Sequence, residues 1–282
     1  MRKKKNAIYY VKKTGFYILL SALALFCLLP MYWMVRSSFM KNVDIFVMDP
    51  FVVWPKEMHW ENYVKAFQSA NFLQYGLNTI IIVAGCMVGT LLTCSMAAYA
   101  FARLKWKGKN ICFAMLLATM MLPGTVTLIP QFIIWKNLHM VNTFWPLIFP
   151  AFLGGGAFNI FLMRQFLLGI PKELDEAATL DGAGAFQIYW RIILPLSRSA
   201  LVVVALFTFM NNWNDFFGPL IYLNEKQKYT LALGLLQFKG DYSNKWNLMM
   251  AASTMVVIPC FAVYVVGQKQ LIEGISMTGI KG

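Results

Sequence analysis

The chain has 282 residues, of which 59% are hydrophobic and only 13% are charged. That charged fraction is about half of the roughly 25% found in typical soluble domains. A soluble fold must place many side chains in water, so this composition excludes most cytosolic enzymes, disordered proteins and small disulfide scaffolds. The formal net charge of +13 suggests nucleic acid, but the basic residues lie mostly between long uncharged stretches, so we expect no nucleic-acid partner.

Five long stretches contain no Asp, Glu, Lys or Arg, and a sixth is interrupted only by Asp215. The hydrocarbon core of a bilayer requires about 20 apolar residues per helix. The sequence therefore predicts an all-α integral membrane protein in contact with lipid. Its six transmembrane helices are expected near residues 15–35, 77–101, 111–134, 143–166, 199–223 and 246–267.

The first stretch follows a basic segment, as the apolar part of a signal peptide would. Its 22 uncharged residues, 14–35, exceed the usual h-region, and no small-residue cleavage site follows, so we expect a retained helix. All five cysteines fall inside predicted spans and are expected to act as small apolar packing residues. No cysteine spacing indicates a disulfide framework or a zinc site.

The first outer connection, about residues 36–75, contains a segment with helical periodicity. Tyr63, Ala66 and Phe67 would share one face of that helix. Two interpretations remain open for it, an interfacial helix in an aromatic belt and a docking surface.

Prolines and glycines are expected to interrupt the third and fourth spans. Pro123 and Pro130 should kink or break the third span. Three consecutive glycines, residues 154–156, lie within the fourth. They predict either close helix packing or an unwound turn.

The distribution of basic residues predicts the orientation of the chain. Sixteen of the 25 Lys and Arg residues lie in the N-terminal segment, the second and fourth connections and the C-terminal segment. The positive-inside rule places these segments in the cytoplasm. Both termini of a protein in the bacterial-type cytoplasmic membrane would then be cytoplasmic.

The longest inner connection, residues 164–198, predicts a short amphipathic helix over about 171–181. Pro171 suits its first turn, and Gly182 is a natural terminator. One face would carry four residues at 3/4 spacing, Leu174, Ala177, Ala178 and Asp181. Its early acids should be repelled by anionic lipid, which favours a protein partner over a lipid-lying helix.

The sequence offers no site for catalysis. The two histidines, His59 and His139, lie in or near outer connections and outside any cluster of metal ligands. No nucleophile elbow, zinc-binding HExxH or phosphate-binding loop occurs. The pattern indicates a protein that is not an enzyme and whose energy source, if it transports uphill, lies on another chain.

The inner connection also carries a specific motif. The segment from Glu176 to Pro195 resembles the EAA loop of ABC importer permeases at every signature position. It reads Glu176-Ala177-Ala178, three residues, Gly182, nine residues, Ile192, one residue and Leu194-Pro195. The motif lies between the fourth and fifth spans, as in that family. The resemblance extends over nearly the whole chain to the G-type subunit of maltose-like carbohydrate importers, through Asn78-Thr79, Ala97–Arg103, Trp213–Phe216, Pro219-Leu220 and the tail from Gly274.

The resemblance implies a type I ABC importer permease fold with a defined set of partners. These are an F-type permease in a heterodimer, two cytoplasmic ATPase subunits and an extracytoplasmic solute-binding protein. ATP and Mg would bind the ATPase, and this chain would bind no cofactor. The implied ATPase-coupling residues are Leu174, Glu176, Ala177, Ala178, Asp181, Gly182, Ile192, Leu194 and Pro195.

The implied domain organisation has three parts. Residues 1–71 would hold the N-terminus, first helix and outer loop. Residues 72–267 would form the ABC type-1 transmembrane domain with the coupling loop at 164–198, and residues 268–282 would form a cytoplasmic tail. The outer segment 224–246 resembles the one that probes the cleft of the binding protein.

A polar cluster in the fifth span has two interpretations. Asn211, Asn214 and Asp215 are spaced to share one helix face, with Asn212 off it. They would either cap and anchor the helix end or line the outer half of the sugar pathway.

The function that these features predict is ATP-driven import of a sugar or oligosaccharide. The alternatives are a permease of the same superfamily for another solute and, from a different class, an ion-coupled secondary carrier. The carrier would need ionisable residues in the centre of the bundle, where the sequence places almost none. The sequence identifies neither the sugar nor whether this chain touches it.

Overall fold

The computed structural model describes residues 2–46, 54–69, 71–240 and 244–279. Within these ranges the regular secondary structure is helical, apart from one isolated antiparallel bridge between Lys239 and Asn244. The α-helices are α1 Arg2–Ser38, α2 Glu61–Ser69, α3 Phe72–Ala102, α4 Lys109–Thr119, α5 Gly124–Asn137, α6 Trp145–Ile148, α7 Ala157–Leu168, α8 Glu173–Leu180, α9 Ala185–Ile188, α10 Leu194–Leu196, α11 Arg198–Trp213, α12 Phe217–Tyr222, α13 Leu231–Gly234 and α14 Trp246–Gly279. Short 3₁₀ segments lie at Asn42–Asp44, Phe149–Phe152, Lys226–Lys228 and Leu235–Phe238, and Tyr189–Ile193 is π-helical.

Four helical segments of the described chain are long and apolar enough to cross a membrane, and the number rises to six if two bent pairs each count as one span. The four are Lys12–Ser38, Phe72–Ala102, Trp145–Leu168 and Trp246–Gln270. The bent pairs are α4 with α5 and Ala185–Leu196 with α11. Six spans are therefore reached only with broken helices in two of them.

The third predicted span breaks at a proline, as expected. α4 and α5 meet at 98°, and Pro123 occupies the N-cap of α5. Pro123 has no N–H to donate to the carbonyl of Thr119, the last residue of α4, and this favours a break there. Pro130 lies inside α5 without ending it.

The fifth span was predicted as one helix over 199–223, and this continuity is wrong. α11 ends at Trp213, and the shorter α12 begins at Phe217. The intervening polar residues bond locally: Asp215 Oδ1 accepts the N–H of Gly218 at 3.1 Å. Short polar side chains compete with the helix for backbone groups, and here that competition ends it.

The chain divides into two compact units. The first comprises residues 1–70 and 235–257. Its apolar α1 is exposed along most of its length, as a lipid-facing helix is. Asn42 Oδ1 accepts the N–H of Trp246 at 2.7 Å and so caps α14, while Asn247 Nδ2 donates to Asn62 Oδ1 at 2.9 Å.

The predicted outer helix of this unit is present as α2, but its buried face differs from the expected one. Ala66 is fully buried together with Asn62, which donates to the carbonyls of Ser38 and Met40. Phe67, expected on the same face, is exposed. An asparagine that serves two backbone acceptors thus replaces the aromatic residue on the packed face.

The second unit comprises residues 71–234 and 258–282, and α3 runs through its centre. α7 and α11 both pack on α3. The buried core combines side chains from these helices with residues of the inner loop, among them Cys94, Met163, Ala178, Tyr189 and Val204. The buried cysteines act as packing residues, and all five cysteines are free thiols.

The three glycines of the fourth span form an unwound turn and also allow a close approach. Gly154, Gly155 and Gly156 all have positive φ, between the 3₁₀ turn and α7. A Cβ on Gly155 would lie 2.8 Å from Cα of Thr90 in α3. Both interpretations of the glycines therefore hold, and α3 meets backbone rather than side chains there.

We predict that Gly155→Ala destabilises the protein. The Cβ would strain a left-handed residue and clash with the α3 backbone, at a combined cost of about 2–5 kcal/mol. The matched control is Gly124→Ala, where a Cβ meets no atom within 4 Å. Thermal unfolding in detergent measures both, and equal midpoints for the two variants would contradict the predicted close approach.

Candidate functional site

The predicted inner connection, residues 164–198, folds around a short helix, and we call it the inner loop. α8 spans Glu173–Leu180, against the expected 171–181, and Pro171 lies just before its N-cap, Lys172. At the C-terminal end Gly182 has φ +82°, its N–H bonds to Thr179 O at 3.0 Å, and that of Ala183 bonds to Ala178 O at 2.9 Å. This pair of bonds is a Schellman cap, which requires a left-handed residue at the position of Gly182.

Within the second unit, one face of α8 is held against the end of α3 by a buried ion pair. Arg103, just past the end of α3, lies 3.3 Å from Asp175 Oδ2, and its side chain is only 3% exposed. Its Nη2 also donates to Ile170 O at 2.7 Å. Ala178, one turn after Asp175, is buried in the same contact. The orientation of α8 about its own axis is thereby fixed.

Two further side chains of α3 bond to the same loop. Ser95 and Tyr189 hydroxyls lie 2.8 Å apart, and Tyr99 donates its hydroxyl to Ala185 O at 3.0 Å. Ser95, Tyr99 and Arg103 are spaced four residues apart and form one stripe along α3, which we call the α3 stripe. The stripe connects three separate points of the inner loop to a single transmembrane helix.

The second part of the loop, after Gly182, presents one packed and one open face. Ile188, Tyr189 and Ile193 are buried in the core. Phe186 and Trp190 lie on the open side, with ring centroids 6.5 Å apart and planes at 16°. Tyr189–Ile193 form a π-helical turn that contains residues of both faces.

The structure separates the predicted coupling residues into two groups. Ala178 is buried and Ile192 and Leu194 are half-buried, and all three pack against the chain's own core. The sequence pattern suggested that Ala178 faces a partner. It faces inward instead, because the Asp175–Arg103 ion pair turns that side of α8 toward α3. The residues exposed to solvent are Leu174, Glu176, Ala177, Asp181, Gly182 and Pro195.

Three exposed apolar residues of the loop were missed from sequence. Leu180 is 89% exposed, and Phe186 and Trp190 are also largely open. The outward face of α8 follows from helical spacing once Asp175 is known to point inward, but Asp175 looked like a solvent-facing acid. Together with Leu174 and Ala177 these three form the apolar part of the loop surface, which we call the coupling surface.

The predicted polar cluster of the fifth span is not one helix face. Asn211 lies in α11, Asn214 is its C-cap and Asp215 follows in the turn. Asn214 Nδ2 donates to Met210 O at 2.8 Å, and Asp215 accepts from Gly218. Both therefore stabilise the helix end, which is the anchoring interpretation.

Asn211 instead lines an open cavity of about 430 Å³ in the second unit. Asn212, predicted to lie off the polar face, lines it too, together with Thr90, Asn159 and Thr208. These side chains come from α3, α7 and α11, so the sequence pattern of a single helix could not bring them together. We call it the Thr208 cavity.

The outer segment after α12 is bonded to the connection before α6. Asn142 Oδ1 accepts the N–H groups of Asn224 and Glu225. Hydrogen bonds from Lys228 and then from Asn142 hold the pKa of the Glu225 carboxyl below its ordinary value. The segment 224–246, which resembles the one that probes the cleft of the binding protein, belongs to the described part of the structure except for residues 241–243.

Among the described residues, no group of three or more His, Cys, Asp or Glu side chains could hold a metal ion. Residues 280–282 at the end of the predicted tail lie outside the described part of the chain.

Comparison with known proteins identifies relatives over the full length. The family "Binding-protein-dependent transport system inner membrane component" matches residues 89–276. The chain is 32% identical to the probable ABC transporter permease protein YurM of Bacillus subtilis, over 100% of this chain and 93% of the relative. It is 30% identical to the arabinooligosaccharides transport system permease protein AraQ of Bacillus subtilis, covering 98% and 97% of the two chains.

A solved structure shares the fold. A chain of a bacterial ABC transporter involved in the import of the acidic polysaccharide alginate superposes with a TM-score of 0.81 at 24% identity. The match covers 92% of this chain and 96% of that one.

We predict that Asp175→Asn loosens the inner loop. The substitution leaves the buried Arg103 guanidinium without its counter-charge. Such a change destabilises the fold by about 3–5 kcal/mol when the pair is fully buried. The cost here is smaller, because the Asp175 side chain is 22% exposed. Limited proteolysis of the purified protein should then cut near α8 faster than in the wild type.

Two matched variants control this experiment. Glu176→Gln removes an exposed acid of the same helix and should leave the cleavage rate unchanged. Arg103→Met combined with Asp175→Leu removes both charges and should restore protection relative to Asp175→Asn. Equal cleavage of Asp175→Asn and wild type would show that the ion pair does not position α8.

Proposed function

The chain belongs to the family of binding-protein-dependent transport system inner membrane components, and we propose that it is the permease subunit through which an ATP-driven importer moves a sugar or oligosaccharide. Its family is that of ABC importer permeases, which are membrane subunits and not enzymes. The solute proposal is carried by the relationship to AraQ, a permease named for arabinooligosaccharides, over nearly the full length of both chains.

ABC importer permeases pair with another permease, ATPase subunits and a solute-binding protein. For this chain we infer an F-type permease as the heterodimer partner, two cytoplasmic ATPases that bind ATP and Mg, and an extracytoplasmic binding protein. The family assignment excludes the alternative of an ion-coupled carrier. An ABC permease for a solute other than a sugar remains the competing candidate.

The coupling surface supports a docking role for the inner loop. Apolar side chains that are exposed at the end of a helical bundle favour a protein partner when polar residues surround them. Leu180 and Leu174 are bordered by Glu173, Glu176 and Asp181, all exposed. Anionic lipid would be repelled by these acids, whereas a groove on an ATPase could bury the leucines and meet the acids with basic groups.

The α3 stripe gives such docking a mechanical consequence. ATP can shift the permease only through a difference in affinity for its two conformations. A partner that moves the coupling surface would also move α3, because Ser95, Tyr99 and Arg103 all bond to the loop. The force would thus be applied to the helix at the centre of the second unit.

The sugar proposal is tested by uptake in reconstituted vesicles. The complete transporter with its binding protein would be assayed with radiolabelled arabinotriose, galactobiose and maltotriose, with and without ATP inside. We expect ATP-dependent accumulation of at least one of them. Uptake of an amino acid, peptide or polyamine but of no saccharide would overturn the proposal while leaving the family assignment intact.

We predict that Leu180→Asp releases the ATPase without unfolding this chain. Leu180 is 89% exposed in the isolated chain, so a charge there costs no burial until the partner docks. If Leu180 is a hot spot of the docked interface, its loss costs about 2 kcal/mol of binding or more. Co-purification from detergent should show substoichiometric ATPase.

The matched control for docking is Leu138→Asp, another exposed leucine, placed at the end of α5 outside the inner loop. It should retain the full ATPase complement. Normal ATPase content and normal transport in Leu180→Asp would remove the coupling surface from the docking proposal.

The charge distribution supports cytoplasmic placement of the inner loop and both termini, with the opposite connections outside. We predict that a cysteine at Lys226 reacts with an impermeant thiol reagent on intact cells and that one at Lys172 reacts only after permeabilisation. Both positions are exposed. The background lacks the five native cysteines, and the reverse labelling pattern would invert the topology.

A further inference from the structure

The Thr208 cavity contains a buried polar group that nothing in the described chain satisfies. Thr208 is 4% exposed, and its Oγ1 has no hydrogen-bond partner among the described residues. Buried hydroxyls are nearly always paired, and an orphaned one calls for an explanation. Threonines in other helices follow the usual pattern: Thr254 of α14, for example, donates to Met250 O at 2.8 Å.

Two amides of the cavity wall are held in place by the backbone. Asn159 Nδ2 donates to Gly155 O, and Asn212 Nδ2 donates to Thr208 O, each at 2.7 Å. Each bond uses one N–H of the amide, so the second N–H and the carbonyl oxygen are available for other bonds. Two amide side chains of the cavity wall are thus held in fixed orientations, each with donor and acceptor capacity left.

The cavity lies near the depth of the membrane centre. Thr208 is ten residues beyond Arg198 and Thr90 twelve residues before Ala102, which correspond to roughly 15 and 18 Å of helix. The hydrocarbon core is about 30 Å thick. Polar groups at that depth are expensive against lipid and usually face a cavity or pathway.

The chemistry of the wall selects the ligand class. The lining residues include no Asp, Glu, Lys, Arg or His, so the wall offers no charge to an ion. It combines threonine and asparagine groups with the partly exposed ring of Phe158. Alternating hydroxyls and apolar C–H faces, as in a saccharide, match such a wall better than a purely apolar molecule does.

We propose that the Thr208 cavity is a contact site for the transported saccharide on this chain, with Thr208, Asn211 and Asn212 as hydroxyl partners. This inference rests on the proposed function. It adds that this permease binds the solute itself, rather than leaving all contacts to its partner permease. It also assigns the orphaned Oγ1 of Thr208 a partner, a sugar hydroxyl.

The direct test compares Thr208→Val, Thr208→Ser and the control Thr254→Val in the reconstituted transporter, with the radiolabelled saccharide panel. Valine removes the hydroxyl but keeps the shape. We expect Thr208→Val to reduce kcat/KM for saccharide uptake roughly threefold to tenfold, the effect of one hydrogen bond. Thr208→Ser and Thr254→Val should stay near wild type.

The stability of Thr208→Val separates binding from structure. Replacing an unsatisfied buried hydroxyl by a methyl group should leave the thermal midpoint unchanged or raised. Reduced transport by a variant that is at least as stable as wild type therefore supports the contact site. Wild-type transport kinetics in Thr208→Val, or a defect matched by an equal loss of folded protein, would overturn it.

A second measurement detects the solute in the cavity. Met120→Cys, in the background without native cysteines, places a thiol at an exposed position of the cavity wall that is not one of the proposed hydroxyl partners. In the vanadate-trapped complex with binding protein, arabinotriose or the panel member transported should slow its reaction with a small methanethiosulfonate. An unchanged rate overturns the contact site but not the sugar function. A wild-type complex that transports no saccharide overturns both.

Discussion

A buried guanidinium at the end of α3 determines how the inner loop is presented. Arg103 is removed from water, and a buried charge without a partner would cost several kcal/mol. Asp175 of α8 supplies the counter-charge at Nη1, and the Ile170 carbonyl accepts a hydrogen bond from Nη2. Because this fixes one face of α8 inward, Leu180 and Glu176 on the opposite face must be exposed. The display of the coupling surface is thus a consequence of charge pairing inside the chain.

The same contact makes the loop and α3 one mechanical unit within the second compact unit. The α3 stripe supplies three attachments at successive turns, and core packing of Ala178, Tyr189 and Ile193 fills the space between them. Elsewhere the helices are interrupted, at Pro123 and after Trp213. The continuous helix α3 therefore connects a candidate docking surface with a candidate solute cavity. Thr90 of the cavity lies within α3, and Arg103, which holds the loop, is its C-cap.

The sequence predicts well whatever local chemistry determines. Apolar stretches predict the helices, Pro123 predicts a break and Gly182 predicts the end of α8, because each acts on its own neighbours. It predicts poorly what distant partners decide. Asp175 looks like a solvent-facing acid until Arg103, 72 residues away, is placed beside it. Likewise the apolar residues after Phe216 continue a membrane pattern, although Asp215 has already turned the chain.

A distance measurement shows whether α3 and α8 move together. Spin labels at Met96 and Glu173, both exposed, would be compared by double electron–electron resonance in the assembled transporter. The two states are nucleotide-free and vanadate-trapped, with trapping verified by inhibited ATP hydrolysis. Because the α3 stripe ties the loop to α3, we expect the same distance distribution in both states. A shift larger than the width of that distribution would show instead that the loop moves independently of α3.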